Sequence, residues 1–371
     1  MIISRTPYRI SFFGGGTDYH TWYQEEGGAV LATTINHYCY LTCRYLPPFF
    51  ENKHRIVWTK TEKVNDIADI QHPSARAVLQ YLNIERGVEI HHLGGLPARS
   101  GLGSSSTFTV GLLNALYALR GKMSSKKQLA CEAVHIEREI LKENVGVQDQ
   151  IQAAYGGFNK ITINRDGEFV VEPLILQHER INQLQKHLLL FFTGVSRTAT
   201  KIAGEQIKAI PEKKIELRKM REMVDEAVDI LTTDRPIVEF GKLLDESWKL
   251  KRSLTKNIAP AFVDDIYNKA IKAGATGGKL LGAGGGGFML FFVEPGKQQK
   301  VLDALSDLLV VPFEFESMGT QIIFYDNPLY SKTSMLRRDF MHLKEMNDQQ
   351  IPIPAEETEK NERPTKLTII N

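Results

Sequence analysis

Cysteine, net charge and long apolar runs are all scarce in this sequence. Only three of the 371 residues are cysteines, and no CxxC or Cys/His cluster surrounds Cys39 and Cys43. We therefore predict free thiols, as in a reducing cytoplasm, rather than disulfides or a zinc site. The net charge of +2 argues against nucleic acid or a membrane surface as the main partner. Without an apolar run of about 18 residues or a signal-peptide pattern, the sequence predicts a cytoplasmic protein with no membrane span.

The common phosphate-binding motif GxxxxGK[ST] is also absent, because no Lys follows the glycines. A different glycine loop is present: residues 96–108 read LPARSGLGSSSTF and lead into an apolar run at helical spacing, Thr107–Leu119. Such a loop lets the backbone approach a bulky anion, and the first helical turn directs free N–H groups at it. The serine hydroxyls add donors and a hard oxygen ligand for Mg²⁺. Taken alone, the pattern fits either a phosphate-binding loop or a capped turn.

The composition of the chain changes along its length. Strand-forming residues predominate in the first third, and we expect strands at Arg9–Phe13, Ala29–Tyr45, Arg55–Trp58, Val88–His92 and Phe158–Ile163. Helices are predicted at Ser105–Leu119, Lys126–Lys142 and Gln298–Leu309, and in four stretches between Ala199 and Ala273 with breaks at Pro211, Asp234–Pro236 and Ala259–Pro260. We place domains at residues 1–180 and 181–330, followed by a peripheral helix and flexible tail at 331–371.

Two more glycine clusters accompany the central loop, RTPYRISFFGGGTDY at residues 5–19 and KLLGAGGGGFMLFF at residues 279–292. With the three motifs in this order, residues 1–330 resemble the GHMP kinase superfamily. The resemblance implies an α+β fold of two domains with ATP bound between them. The N-terminal one is a ribosomal-protein-S5-like α/β domain with a left-handed crossover, and the C-terminal one is a ferredoxin-like α/β domain.

The first motif, with QDQ and AYGGFN further on, narrows the resemblance to the sugar-kinase branch. Galactokinases carry GEH in place of Gly14–Gly16. D-glycero-D-manno-heptose 7-phosphate kinases and their fucokinase relatives resemble this sequence in the FGGGTD start and in the QDQ and AYGGFN segments. The resemblance implies ATP-dependent phosphorylation of the anomeric hydroxyl of a heptose 7-phosphate, on the way to a nucleotide sugar. An L-fucose-type or other free-sugar kinase is an alternative, and a non-catalytic regulator that binds sugar and ATP is a more distant one. The partner is a small sugar or sugar phosphate, and the choice between monomer and homodimer stays open.

Glu137 carries evidence from the residues themselves. It lies in the middle of the apolar stripe of its predicted helix, formed by Ala130, Ala133, Val134, Ile140 and Leu141. An unpaired carboxylate facing a core is costly, so Glu137 needs a cation or hydrogen-bond donors, and a buried salt bridge to an Arg is the structural alternative to a bound metal. The resemblance implies the cation, Mg²⁺, held by Glu137 together with Ser105.

The resemblance also implies roles for other residues. Asp149 in QDQ is the base that accepts the proton of the sugar hydroxyl. Arg9 stands where many members carry Lys, and its charge would steady the transferring phosphoryl group, with surface charge as the alternative. Asp18 would accept sugar hydroxyls, or else close an Asx-turn. The nucleotide would bind Arg99, Ser100, Gly101, Leu102, Gly103, Ser104, Ser105 and Ser106. The substrate would meet Gly15, Gly16, Thr17, Asp18, Asp149, Gly284, Gly285 and Gly286, with Arg197 either binding an anion such as a sugar phosphate or starting a helix.

Overall fold

Strands and helices alternate along most of the chain. The structure is a computed structural model that describes residues 1–47, 49–98, 100–194 and 199–326. Its strands are β1 (Ile2–Phe13), β2 (Gly28–Tyr45), β3 (His54–Val57), β4 (Thr61–Val64), β5 (Val88–Gly94), β6 (Phe158–Ile163), β7 (Phe169–Pro173), β8 (Leu188–Phe192), β9 (Gly277–Leu280), β10 (Phe288–Phe292), β11 (Leu309–Val310), β12 (Phe315–Glu316) and β13 (Gln321–Tyr325). Its α-helices are α1 (His20–Glu26), α2 (Pro73–Tyr81), α3 (Ser104–Leu119), α4 (Lys126–His135), α5 (Gln148–Tyr155), α6 (His178–Lys186), α7 (Ala199–Ala209), α8 (Lys214–Thr232), α9 (Val238–Leu254), α10 (Ala261–Ala273) and α11 (Gln298–Ala304).

Met1–Tyr325 form one compact unit. The predicted peripheral helix and tail at residues 331–371 lie outside the described residues. The division of this unit into domains at residues 1–180 and 181–330 remains a prediction. None of the helices in the described ranges combines the length and the apolar character that a membrane span needs.

The larger sheet is organised by the 18-residue strand β2. Its first half pairs with β6 and its second half with β5, while β1 runs antiparallel along most of its length. The order β13-β1-β2-β5-β3-β4 results, with β6 and β12 also on β2 and β7 on β6. β6 and β7 form a hairpin across residues 164–167. Because β12 and β13 come from the end of the described chain, the C-terminal segment returns to the sheet that the N-terminus begins.

The smaller sheet has the order β11-β8-β10-β9 and is antiparallel throughout. Its central strand β10, FMLFF, is buried along its whole length, which explains the absence of polar alternation. Helices α7 to α10 follow the predicted breaks closely. The predicted helix Gln298–Leu309 ends earlier, at Ala304, and is followed by a turn over residues 305–308 and by β11, which begins at Leu309.

Helix α3 positions the glycine loop. It is apolar on all sides, and Phe108, Leu112, Leu113 and Leu116 are buried. It packs against β1, β2 and α5, which fix the position of the helix within the fold. The loop that precedes it is therefore held by the core.

The predicted helix Lys126–Lys142 is two elements. After α4, residues Ile136–Ile140 form one π-helical turn, in which the Leu141 N–H donates to the Ile136 carbonyl at 2.9 Å. The wider turn keeps Glu137 fully buried, as the stripe predicts, but it rotates Ile140 outward to 41 % exposure. The prediction that Ile140 belongs to the buried stripe is therefore wrong, because it assumed a regular 3.6-residue period.

Candidate active site

The Gly/Ser loop opens helix α3 as the sequence predicts. Gly101 and Gly103 both have positive φ, +89° and +75°, which side chains rarely adopt. Helix α3 begins at Ser104, and Gly103, Ser104, Ser105 and Ser106 all line one cavity of about 670 Å³. Gly103, at the N-cap position, has no side chain that could cap the helix. The start of α3 therefore faces the cavity without a cap from the residue before it.

The third glycine cluster packs against this loop. A Cβ on Gly282 would lie 2.4 Å from the Gly101 Cα, and a Cβ on Gly287 would lie 2.2 Å from the Ser100 carbonyl oxygen. Gly284 approaches the Ile258 backbone in the same way. The predicted substrate residues Gly284, Gly285 and Gly286 are buried and do not line the cavity, whereas Gly282 and Ala283 do. The backbone of this glycine cluster therefore lies close to other backbone segments of the protein, and not to a ligand in the cavity.

Arg9 and Asp149 form a two-pronged ion pair in the cavity, in which the arginine is buried and the carboxylate is partly exposed. Arg9 lies on β1, and Asp149 lies in the first turn of α5. The Arg9 Nε and Nη2 groups donate to the two Asp149 oxygens at 2.7 and 2.9 Å, and Nη1 donates to the Gly101 carbonyl at 2.6 Å. Because Arg9 is only 4 % exposed, the alternative of a surface charge is wrong. One guanidinium thus fixes the carboxylate against the glycine loop.

Asp18 lies beside Asp149 and is almost completely buried. Its Oδ1 accepts from the Gly16 N–H at 3.0 Å, and its Oδ2 accepts from the Gln148 N–H at 3.4 Å. Gly16 precedes Asp18, whereas an Asx-turn bonds to the N–H two residues further on, so this contact is not an Asx-turn. Burial raises the pKa of this carboxyl, and the Asp149 charge raises it further, while the backbone hydrogen bonds oppose both effects. Gly146 leaves it room, since a Cβ there would lie 1.8 Å from Oδ2. Asp18 lines the cavity together with Gly15 and Gly16.

Thr17 does not reach the cavity, contrary to the prediction that it meets substrate. It is fully buried, and its hydroxyl donates to the Gly14 or Ala29 carbonyl at 2.8 to 2.9 Å. The same oxygen accepts from the Ala29 N–H at 3.2 Å. Thr17 therefore ties the glycine turn to β2, because its hydroxyl is used by the backbone on both sides.

Glu137 lies behind the serine loop and faces Ser106 rather than Ser105. Its Oε2 accepts from the Ser106 hydroxyl at 2.8 Å and from the Gln150 amide at 2.6 Å, while Oε1 accepts no hydrogen bond. Burial raises the pKa of this carboxyl to about 7, and the neighbouring hydroxyl and amide donors lower it less. Ser105 is exposed to the cavity and has no contact with Glu137 in the hydrogen-bond network.

A cation would fit this serine–glutamate pair. A buried carboxylate oxygen without a donor is costly unless the group is protonated or meets a positive charge. Ser106 lines the cavity and Glu137 does not, so the serine would meet the ion first. In the described ranges, no group of three or more His, Cys, Asp and Glu side chains is arranged to hold a metal. Mg²⁺ commonly takes one or two carboxylates plus phosphate oxygens, so it needs no such cluster.

Two buried lysines complete the polar end of the cavity, and the sequence analysis did not select either of them. The Lys251 ammonium, on α9, donates to the Gly282 carbonyl at 2.5 Å, and the Lys279 ammonium, on β9, donates to the Phe12 carbonyl at 2.6 Å. Burial lowers the pKa of Lys251 to about 8 and that of Lys279 well below its ordinary value. Lys251 follows Phe240, Leu244 and Trp248 at helical spacing, so it is a charged residue within an apolar stripe. The same pattern selected Glu137 and would also have selected Lys251.

The other end of the cavity is aromatic. The His72 ring stacks on Phe108 with centroids 4.4 Å apart, and the Trp58 ring meets His72 edge-on at 4.9 Å. Burial lowers the pKa of His72 to about 4, and its Nδ1 accepts from the Ala75 N–H at the start of α2. The imidazole is therefore neutral near pH 7, and this end can receive a flat apolar group.

Some predicted residues take no direct part in the cavity. Ser100 and Leu102 are buried, and their carbonyls bind the Phe288 and Arg9 N–H groups. Arg99 and Arg197 lie outside the described residues. The structure thus brings together most of the predicted site, namely Arg9, Gly15, Gly16, Asp18, Gly101, Gly103, Ser104, Ser105, Ser106 and Asp149.

The chain is similar to known kinases over much of its length. Residues 70–157 match the N-terminal domain of GHMP kinases, and residues 216–310 match their C-terminal domain. The chain is 29 % identical to a D-glycero-alpha-D-manno-heptose 7-phosphate kinase of Campylobacter jejuni, over 82 % of this chain and 93 % of that protein. A bifunctional fucokinase/GDP-fucose pyrophosphorylase of Arabidopsis thaliana is 24 % identical over 80 % of this chain but only 30 % of its own length.

Solved structures share the fold. A D-glycero-D-manno-heptose 1-phosphate kinase from Bacteroides thetaiotaomicron superposes with a TM-score of 0.72 at 25 % identity, covering 88 % of this chain and all of that one. The predictions of family and of a two-domain α+β kinase fold are confirmed. The chain belongs to the GHMP kinases.

Proposed function

We propose that this kinase transfers the γ-phosphoryl group of ATP to the anomeric hydroxyl of D-glycero-D-manno-heptose 7-phosphate, for use in nucleotide-sugar synthesis. The broader activity, ATP-dependent phosphorylation of a sugar, is confirmed by the family and by its relatives. The observation that carries the chemistry is the Asp149 carboxylate, held by Arg9 at the glycine loop. The choice of heptose is supported by the relative in Campylobacter jejuni.

In the proposed reaction, Asp149 acts as the base. Its carboxylate accepts the proton of the sugar hydroxyl while the hydroxyl oxygen forms a bond to the γ-phosphorus. The bond between the γ-phosphorus and the β,γ-bridging oxygen breaks, and ADP leaves. Arg9 keeps the carboxylate in one orientation, since two of its N–H groups already bind the two oxygens. Asp18, beside Asp149 in the cavity, would accept hydroxyls of the sugar.

The nucleotide would lie across the cavity. Its phosphates would meet the N–H groups and hydroxyls at the start of α3, where the helix dipole favours negative charge. The aromatic end around Trp58, His72 and Phe108 would receive the adenine. Ser106, with Glu137 behind it, would hold Mg²⁺, which when bound neutralises charge on the phosphates.

A free-sugar kinase of the L-fucose type is the second candidate. Its support is the similarity to bifunctional fucokinases, one of which matches over 80 % of this chain. The two candidates differ in one property, the phosphate on the acceptor. A heptose 7-phosphate kinase needs a further cation for that phosphate, and Arg197 remains the predicted residue. A non-catalytic regulator is disfavoured by the presence of both Asp149 and Glu137 in the site.

An ADP-release screen tests the proposal. The purified chain, ATP and Mg²⁺ are incubated with free and phosphorylated heptoses, hexoses and 6-deoxyhexoses, and kcat/KM is compared. We expect heptose 7-phosphate to exceed free heptose and L-fucose by at least ~30-fold, the scale of one charge-assisted contact to phosphate. Preference for a free 6-deoxyhexose would replace the heptose proposal with the fucokinase one, and no turnover of any sugar would favour the regulator.

A further inference from the structure

Lys251 is a buried cation at the polar end of the cavity that the proposed mechanism does not yet use. It lies on α9, lines the cavity and is only 6 % exposed. Within the described residues it makes no ion pair, and its ammonium donates only to the Gly282 and Leu280 carbonyls, at 2.5 and 3.5 Å. A buried ammonium without an anion is costly, which indicates that an anion binds beside it.

The position of Lys251 points to one anion. Its partner Gly282 is in backbone contact with Gly101 of the phosphate loop, where a Cβ would lie 2.4 Å from the Gly101 Cα. Lys251, Arg9, Asp18 and Asp149 all line the same cavity. Burial lowers the pKa of Lys251 and the charge of Arg9 lowers it further, whereas the charges of Asp18 and Asp149 raise it. The ammonium is therefore at the junction between the loop that would hold the phosphates and the base that would activate the acceptor.

Arg9 cannot easily supply the free charge at this junction. Its Nε, Nη1 and Nη2 groups already donate to Asp149 and to the Gly101 carbonyl. Lys279 also lines the cavity, but its ammonium donates to the Phe12 carbonyl on β1, whereas Lys251 donates to Gly282 beside the phosphate loop. The Lys251 ammonium has three N–H donors at the end of a flexible side chain, and the Gly282 and Leu280 carbonyls do not use all of them.

We propose that Lys251 is a catalytic residue whose ammonium contacts the γ-phosphoryl group of ATP and stabilises its charge during transfer. This proposal rests on the proposed kinase function and assigns to Lys251 the charge-steadying role that the sequence assigned to Arg9. No proton or electron is exchanged at Lys251. The contact strengthens as the phosphoryl group moves towards the acceptor oxygen.

Nucleotide binding without sugar tests the proposal, so the result is independent of which sugar is phosphorylated. Calorimetry gives the Kd values of ADP and of the ATP analogue AMP-PNP, with Mg²⁺, for the wild type and for Lys251→Met. We expect the ratio Kd(ADP)/Kd(AMP-PNP) to fall by at least ~10-fold, the scale of one hydrogen bond to a charged group, with ADP affinity nearly unchanged. Lys251→Gln keeps a donor for the Gly282 carbonyl and serves if the Met variant does not fold.

The matched control is Lys249→Met on the same helix. Lys249 is 65 % exposed and pairs with Asp245 at the surface, so its loss should leave both Kd values and kcat unchanged. With the preferred sugar, Lys251→Met should lower kcat by ~100-fold or more while the sugar KM barely moves. Equal weakening of ADP and AMP-PNP, no weakening of either, or a loss confined to the sugar KM would each overturn the proposal.

Discussion

Replacing Glu137 by Gln should stabilise the metal-free protein at alkaline pH while impairing catalysis. Burial raises the pKa of this carboxyl from its ordinary value of 4.5 to about 7, because the hydrogen bonds from neighbouring side chains offset only part of the loss of water. One unit of pKa shift corresponds to about 1.4 kcal/mol. Above pH 7 the raised pKa of Glu137 therefore lowers the free energy of unfolding by about 3 kcal/mol. Gln cannot ionise, and its carbonyl can still accept from Ser106 and Gln150.

The pH dependence has a definite sign. Below pH 4.5 the carboxyl is protonated in both the folded and the unfolded state, so the variant and the wild type should be equally stable. Between pH 4.5 and about 7 only the unfolded state ionises, which lowers wild-type stability as the pH rises. Above pH 7 the difference in the free energy of unfolding between the variant and the wild type is constant. The entropy of unfolding is about 2.1 cal/mol/K per residue. For 371 residues, a difference of about 3 kcal/mol in the free energy of unfolding therefore corresponds to a difference of about 4 °C in Tm.

Differential scanning calorimetry with a chelator, between pH 4.5 and 9, measures this difference. Glu139→Gln is the control, because Glu139 is 52 % exposed in the same helical segment and should show no pH-dependent change in Tm. In the assay, Glu137→Gln should raise the Mg²⁺ concentration for half-maximal activity by ~10- to 100-fold, as for residues behind a metal ligand. A variant that melts lower than wild type at pH 8 and keeps its Mg²⁺ dependence would refute this reasoning, since Glu137 would then be a structural acceptor only.

Three other predictions concern the loop, the base and the acceptor phosphate. Asp149→Asn should keep the Tm and the ATP affinity but lower kcat at least ~10²-fold, and a near-wild-type kcat would remove Asp149 from the mechanism. Gly101→Ala should raise the KM for ATP and lower the Tm, because its Cβ would lie 2.4 Å from the Leu281 carbonyl oxygen at a φ of +89°; unchanged values would show that the two loops are free to separate. Arg197→Ala should lower kcat/KM for heptose 7-phosphate ~30- to 1000-fold and leave a non-phosphorylated analogue almost unaffected, whereas equal losses on both would place the phosphate site elsewhere.

Long elements with a strong period could be predicted from the sequence. The four helices between residues 199 and 273 have clear breaks, and their bounds agree with the structure to within a few residues. The short helices α1, α2, α5 and α6 were missed for local reasons. Helix α2 is capped by the His72 ring and begins with Pro73, instead of the usual Ser, Thr, Asp or Asn cap. Helix α5 buries Gln150 and Gln152, so its inner face does not read as apolar.

The composition of the site was more predictable than its geometry. The family resemblance carried by the three glycine motifs selected Asp149 and Arg9, and the carboxylate within an apolar stripe selected Glu137. The sequence could not show that Ser106 rather than Ser105 faces Glu137, because the π-helical turn shifts the register of the neighbouring segment. Nor could it show that Gly284 and its neighbours contact Ile258 and Ser100, since those approaches join residues far apart in the chain.

NMR of the reaction product tests the central claim most directly. Wild-type protein is incubated with ATP, Mg²⁺ and D-glycero-D-manno-heptose 7-phosphate, and the product is examined by proton and phosphorus spectra. The account predicts a second phosphorus signal that is coupled to the anomeric proton, with one ADP formed for each sugar converted. A new phosphate on any other carbon, or ADP formed without a phosphorylated sugar, would contradict it.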